Sequence, residues 1–213
     1  MNPSLLFPEI FKLHPSRFEK ALFTQGLSTI AGTDEVGRGC LAGPVVAAAV
    51  ILPRDHGIRG IKDSKLLSAS QRDILSEEIK AVALTYAVSE VSPAEIDLIN
   101  IFQASLRAMV NAVQQLKIQP EILLIDGMHR IPLVLPQKPV IKGDLHCKTI
   151  GAASILAKVA RDRMMKQLEE RFPVYSFSVH KGYPTPQHRR EIKEHGPSPI
   201  HRMSFKLLKE ETE

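Results

Sequence analysis

The sequence predicts an α/β fold in which helices pack on a mixed β-sheet. Three observations carry the prediction. Two strand-like segments follow each other in the first quarter of the chain, as in a β-hairpin. Strands and long stretches of helical periodicity then alternate. The run Pro44–Leu52 is continuously apolar, as a strand covered on both faces must be.

The elements follow in order. Residues 1–27 read as an N-terminal arm in which Pro3, Pro8 and Pro15 prevent a long helix. Ser28–Asp34 reads as the first strand and Pro44–Leu52, bounded by Gly43-Pro44 and Pro53, as the second. Ser68-Ala-Ser-Gln71 has capping-box spacing and opens a helix carrying Leu75, Ile79 and Val82. Val82, Leu84, Tyr86 and Val88 alternate with Ala83, Thr85, Ala87 and Ser89, the period of a third strand. Ser92-Pro93-Ala94-Glu95 opens a second helix with proline in its first turn. Leu98, Phe102, Leu106, Met109, Val113 and Leu116 form its apolar stripe. Ile122–Ile125 is a buried strand ending on Asp126, and Val140-Ile141 another ending near Asp144. Ile150, Ala153, Leu156, Ala160, Met164 and Leu168 make the buried face of a third helix, whose alanines let it lie close to the sheet.

The chain has 213 residues, 44% of them hydrophobic, enough for one sizeable core and short for two. Cys40 and Cys147 make no disulfide framework, and the N-terminus lacks the basic and apolar regions of a signal peptide. No apolar run is long enough to cross a bilayer. These features point to a cytoplasmic protein without membrane contact. The net charge of +5 is unevenly spread: from His129 to Lys206 there are 15 Lys+Arg against 6 Asp+Glu, and the remainder is acidic. A basic surface attracts phosphate, although charge alone is a weak signal for nucleic acid.

The chemistry concentrates in Thr33-Asp34-Glu35-Val36-Gly37-Arg38-Gly39. Adjacent carboxylates at a strand end suit a hard divalent cation, the glycines admit close backbone approach, and the arginine offers a planar fork for phosphate. Asp126 in Leu-Ile-Asp-Gly and Asp144 in Ile-Lys-Gly-Asp lie at further strand ends, where sites of α/β sheets form. Any one of these is an ordinary turn residue. Four carboxylates on one edge would repel each other unless a cation neutralised them. Neighbours on a regular strand point to opposite faces, so Asp34 and Glu35 share a site only if the strand ends or bulges there.

Asp34-Glu-Val-Gly-Arg-Gly39, Asp63-Ser-Lys65, Ile125-Asp-Gly127, Lys142-Gly-Asp144, Ala153-Ser-Ile-Leu-Ala-Lys158, His180-Lys-Gly-Tyr-Pro-Thr185 and Pro199-Ile-His-Arg202 occur in that order. As an ordered set the motifs resemble bacterial ribonuclease HII. The resemblance implies a ribonuclease-H-like fold with a mixed five-stranded sheet flanked by helices and a helical C-terminal region, one catalytic domain over 28–213. It implies an endonuclease that hydrolyses the RNA strand of RNA–DNA hybrids and incises 5′ of single ribonucleotides in duplex DNA. The products would carry 5′-phosphate and 3′-hydroxyl ends. Asp34, Glu35, Asp126 and Asp144 match the family's catalytic metal ligands for Mn²⁺ or Mg²⁺, two ions during catalysis, with Asp34 bridging. Gly37, Arg38 and Gly39 match the loop that reads the ribose 2′-hydroxyl, Tyr183 the tyrosine on the sugar beside the RNA–DNA junction, and Lys65 a phosphate contact. The protein is expected to act as a monomer on hybrids and ribonucleotide-containing duplexes. The tail shows no clear motif for a replication clamp.

Two other readings compete. A non-catalytic duplex-binding protein has no use for four strand-end carboxylates, and a phosphohydrolase of small substrates leaves Tyr183 and the basic surface unexplained. Sister ribonuclease HIII enzymes carry an extra N-terminal domain for which 27 residues are too few. Cys40 and Cys147 read as small packing residues. Ser154 reads as a close-packed helix residue. His180 and His188 read as phosphate contacts or structural histidines, and Arg161, Asp162, Arg163 and Lys166 as a mostly solvated helix face.

Overall fold

The computed structural model describes residues 7–61 and 67–208. Strands β1 (Ile30–Val36), β2 (Val45–Ile51) and β3 (Thr85–Val91) form an antiparallel meander. β4 (Ile122–Asp126) and β5 (Gln137–Val140) extend it in parallel from β1, giving a five-stranded sheet in the order β3-β2-β1-β4-β5. The helices are α1 (Phe18–Thr24), α2 (Ala69–Val82), α3 (Pro93–Gln114), α4 (Gly143–His146), α5 (Lys148–Arg171), α6 (Phe177–His180) and α7 (Pro186–His195).

Every residue of β2 is buried because helices cover both its faces. Ala31, Val45, Ala47, Ala49 and Ile51 pack with Ala104, Ala108, Met109 and Ala112 of α3. On the opposite face Val46, Ala48 and Val50 meet Leu75 and Ile79 of α2 and Ala152, Ala153 and Leu156 of α5. The start of α5 lies directly on β1: a Cβ on Gly32 would stand 2.2 Å from the Thr149 carbonyl carbon, so only glycine fits. The N-terminal segment packs on this sheet too. Phe18 and Leu22 of α1 join Ile30, Ile122 and Leu124, worth about 1.5–3 kcal/mol each in burial. The carboxylate of Glu19 accepts the N–H groups of Lys148 and Thr149, both at 2.7 Å, capping α5 and complementing its dipole.

The capping box at Ser68 and Gln71 is complete, and the Ser92 hydroxyl accepts from Glu95 N–H. Other expectations change. β1 runs on to Val36, and β5 is Gln137–Val140, with Ile141 exposed after it. In β3 the small residues Thr85, Ala87, Ser89 and Val91 face α3, while Leu84 and Tyr86 are exposed at this sheet edge. α3 breaks at Asn100 (φ 64°, ψ 163°), whose side chain accepts from Gln103 N–H and so caps the second segment. The break shifts the helical phase and leaves Leu98 on the surface. The first half of α5 is buried nearly all round, and Arg161 just beyond it is buried too.

Candidate active site

β1 and β4 deliver the first carboxylates. Their register sets Thr33 beside Ile125, so Asp34 and Asp126 follow as neighbours along parallel strands. Asp34 is buried; its Oδ1 accepts from Glu35 N–H at 2.7 Å, and its carboxylate also takes a hydrogen bond from the Ser154 hydroxyl. Burial, then the charges of Glu35 and Asp126, push the Asp34 carboxyl well above the usual range. Glu35 is raised as well, chiefly by burial, against the pull of Arg38.

The expected strand end or bulge at Asp34 is absent. Asp34, Glu35 and Val36 pair regularly with Ala48, Ala47 and Val46, and the two acids therefore project to opposite sides of the sheet edge. Glu35 lines a cavity of about 80 Å³ on the α3 side with Arg38, Phe102, Asp126 and His129. Asp126 stands between the two sides at the strand end. Its Oδ1 accepts from Gly143 N–H at 2.7 Å. The left-handed Lys142 (φ 53°) turns the chain into α4 there. Asp144 follows, its N–H 3.4 Å from the same Asp126 oxygen, but its own Oδ1 accepts from Leu145 N–H. Asp34, Glu35 and Asp126 thus act on one another electrostatically, while Asp144 is turned to its own helix. Among the described residues no three Asp, Glu, His or Cys side chains form a ready metal-holding group.

The loop after β1 rests on two buried arginines. Gly37 has φ 93°, and a Cβ there would lie 2.3 Å from Arg161 Nε, whereas around Gly39 the space is open. Arg161 donates to the carbonyls of Pro44, Ala42 and Lys181, which corrects its reading as a solvated residue. Arg202 donates to Gly43 and, at 3.0 Å, to the Arg38 carbonyl. Burial draws Arg202 down to about 10, so it stays charged at neutral pH. The exposed Arg38 side chain pairs with Glu35 at 3.2 Å.

Tyr183 reaches the same loop. Leu41 N–H donates to the Gly182 carbonyl at 2.7 Å, and the Tyr183 hydroxyl hydrogen-bonds the Cys40 sulfur. Arg161 lies 5.9 Å from the Tyr183 ring centre. The Asp63-Ser-Lys65 motif falls outside the described residues. Sequence reasoning missed the roles of Ser154, Arg161, Arg202 and Cys40. Only the alanine-rich context of Ser154 hinted at closeness to the sheet.

Residues 31–208 match the family model described as Ribonuclease HII. The chain belongs to the ribonuclease HII family. It is 53% identical over 198 residues to a ribonuclease HII of Bacillus cereus, covering 93% of this chain and 77% of the relative. A ribonuclease HII from Archaeoglobus fulgidus, solved in complex with PCNA, superposes with a TM-score of 0.72 at 32% identity, over 86% of this chain and 98% of that one. A Bst ribonuclease HIII, solved with Mn²⁺, shares the fold at a TM-score of 0.63 and 20% identity, over 88% and 70% of the two chains. The fold is therefore that of ribonucleases H2 and H3, and the protein is a ribonuclease H enzyme. No helix among the described residues is long and apolar enough to cross a membrane.

Proposed function

We propose that the protein is a metal-dependent endonuclease that hydrolyses the RNA strand of RNA–DNA hybrids and incises 5′ of a single ribonucleotide in duplex DNA. The observation that carries this reading is the junction of two features. Buried, mutually repelling carboxylates occupy the ends of β1 and β4, and immediately beyond them Cys40 and Leu41, which follow the Gly37–Gly39 loop, are stitched to Tyr183 and Gly182.

The donors fit a hard divalent cation. All are carboxylate oxygens, and positive charge would offset the burial that chiefly raises Asp34 and Glu35 and the repulsion from Asp126 that adds to it. Asp34, Glu35, Asp126 and Asp144 would hold Mg²⁺ or Mn²⁺. A bound cation supplies Lewis acidity and lowers the pKa of water. The chain's own part is preorganisation. Ser154 and the Glu35 N–H fix Asp34, and Gly143 N–H fixes Asp126. Asp144 would have to give up its contact with Leu145 N–H to join them. Arg38, released from Glu35, would meet a substrate phosphate bidentately, and the open backbone at Gly39 would approach a 2′-hydroxyl, the group that tells RNA from DNA. Tyr183 would lie against the next sugar, Lys65 would contact phosphate, and the protein would work as a monomer in the cytoplasm.

The test is incubation of labelled hybrid, single-stranded RNA and DNA duplex with Mg²⁺, Mn²⁺ or chelator. The proposal expects hybrid cleavage only with metal, leaving 5′-phosphate and 3′-hydroxyl ends. Cleavage in chelator, or equal cleavage of free RNA, contradicts it.

A further inference from the structure

Beneath Tyr183 three histidines touch in series. His180 and His188 stack with ring centres 4.1 Å apart, and His188 Nε2 lies 3.0 Å from His201 Nε2. All three are buried. Their neighbours fix every proton. Gly182 N–H donates to His180 Nδ1 at 3.1 Å, so His180 carries its hydrogen on Nε2 and donates to Glu191 at 2.9 Å. The Tyr183 carbonyl, 2.9 Å from His188 Nδ1, accepts from it, which leaves His188 Nε2 bare. His201 Nε2 must then be the donor between the two rings, and its bare Nδ1 accepts from Ser198 N–H at 2.9 Å and hydroxyl at 2.8 Å. One neutral tautomer set satisfies all six ring nitrogens.

We infer that His188, aligned by His201 and His180, is a positioning residue for Tyr183, and that the chain works only while all three rings are neutral. The inference rests on the proposed role of Tyr183 at the junction sugar. His188 holds the Tyr183 carbonyl, His180 accepts Tyr183 N–H through its own carbonyl at 2.9 Å, and Cys40 holds the hydroxyl at the ring's far end. Each bare nitrogen faces a donor. An added proton on His188 would set two N–H groups against each other, and one on His201 or His180 would oppose Ser198 or Gly182. Acid therefore breaks a contact at whichever ring it enters.

The charges around the chain are Glu191 on α7, Glu169 on α5 and Lys181 in the turn, and the titratable Tyr175 hydroxyl beside it is neutral. Arg202 follows His201 and is turned toward Gly43. Glu191 and Glu169 favour a proton on His180 and Lys181 opposes it, but burial outweighs them and keeps that ring neutral. His188 and His201 have no carboxylate hydrogen bond of their own and are held down to about 4, first by burial. The route from acid to Tyr183 therefore runs through its carbonyl contact.

The readout is the ratio of incision at one embedded ribonucleotide to cleavage of continuous hybrid. Any pH effect on the shared carboxylate chemistry cancels in this ratio. His188→Phe should lower it about fivefold, the worth of one hydrogen bond, and His188→Asn, whose amide can replace the Nδ1–H, should restore most of it. In wild type the ratio should hold from pH 7 to about pH 5 and fall as pH approaches 4. A folded His188→Phe with an unchanged ratio, or a folded wild type whose ratio stays flat down to pH 4, overturns the inference. Nitrogen NMR of the wild-type histidines tests the chain without any activity. It should find His188 protonated at Nδ1 and His180 and His201 at Nε2, and any other tautomer at His188 overturns it. If wild type cuts neither substrate, the proposed function fails while the NMR result still decides the chain.

Discussion

Gly37 and Gly39 flank the same arginine but answer to different constraints. Gly37 is demanded by the fold: its φ is positive and Arg161 occupies the place of a side chain. Gly39 meets nothing within 4 Å, so its missing side chain is free for a ligand. Gly39→Ala should leave the melting temperature close to wild type and still depress cleavage, whereas Gly37→Ala should lower both. Equal activity of Gly39→Ala and wild type on saturating hybrid would remove the 2′-hydroxyl role from this loop. Asp126→Asn keeps an oxygen for Gly143 N–H and removes a charge that raises Asp34. The metal-free variant should melt no lower than wild type, gain less stability from Mn²⁺, and lose orders of magnitude in cleavage. Calorimetry with and without metal checks the first two. The approach of Asp34, Glu35 and Asp126 was legible because strand ends of an α/β sheet gather on one edge, whereas Asp144 lies in α4 and is turned to Leu145. Arg161 was not legible, because a basic residue between Ala160 and Asp162 reads as solvated. The carbonyls of Ala42, Pro44 and Lys181 that bury it come from distant segments.

At the scale of elements, local signals worked where the chain caps itself. Ser68, Ser92 and the apolar run of β2 announced their elements because the partners lie within a few residues or the covering is symmetric. Phase was harder. Asn100 reverses the stripe of α3 through a left-handed residue that helical spacing does not register, and β3 turns its small residues inward because Ala104 and Ala108 of α3 lie close to the sheet. Asn100→Gly should be tolerated, and Asn100→Ala should cost about 1 kcal/mol through the lost cap and the positive φ, measured by urea unfolding. The histidine chain links α6, α7 and the segment around His201. His188 and His201 have folded values near 4 against an ordinary 6.5, so the stability they confer is complete above pH 6.5 and is lost as pH falls toward 4. The slope should approach about 1.4 kcal/mol per pH unit for each ring. Urea midpoints at pH 7.5, 6 and 5 would show it, and a variant lacking both rings should flatten it.

For the whole molecule, a regular β1 keeps Asp34 and Glu35 on opposite sides of the sheet edge, with Asp126 between them. The basic second half places Lys181 beside Tyr183, so duplex affinity should fall steeply with salt, and Lys181→Ala should reduce the slope by about one phosphate contact. Arg189 is a poorer test of that surface, since it donates to the Lys206 and Leu207 carbonyls and anchors the tail. Mixed-sheet architecture was readable from the order of strands and helices. The stitching of residues 40–43 to 182–183 and 200–202 was not, because it runs through main-chain bonds between segments 140 or more residues apart. The most direct test of the account is to map the cut in a labelled DNA duplex containing one ribonucleotide, with Mg²⁺ or Mn²⁺ present. One incision on the 5′ side of the ribonucleotide, absent with Asp126→Asn, is the predicted result. Incision on the 3′ side, equal cutting of an all-DNA duplex, or undiminished cutting by Asp126→Asn would contradict it.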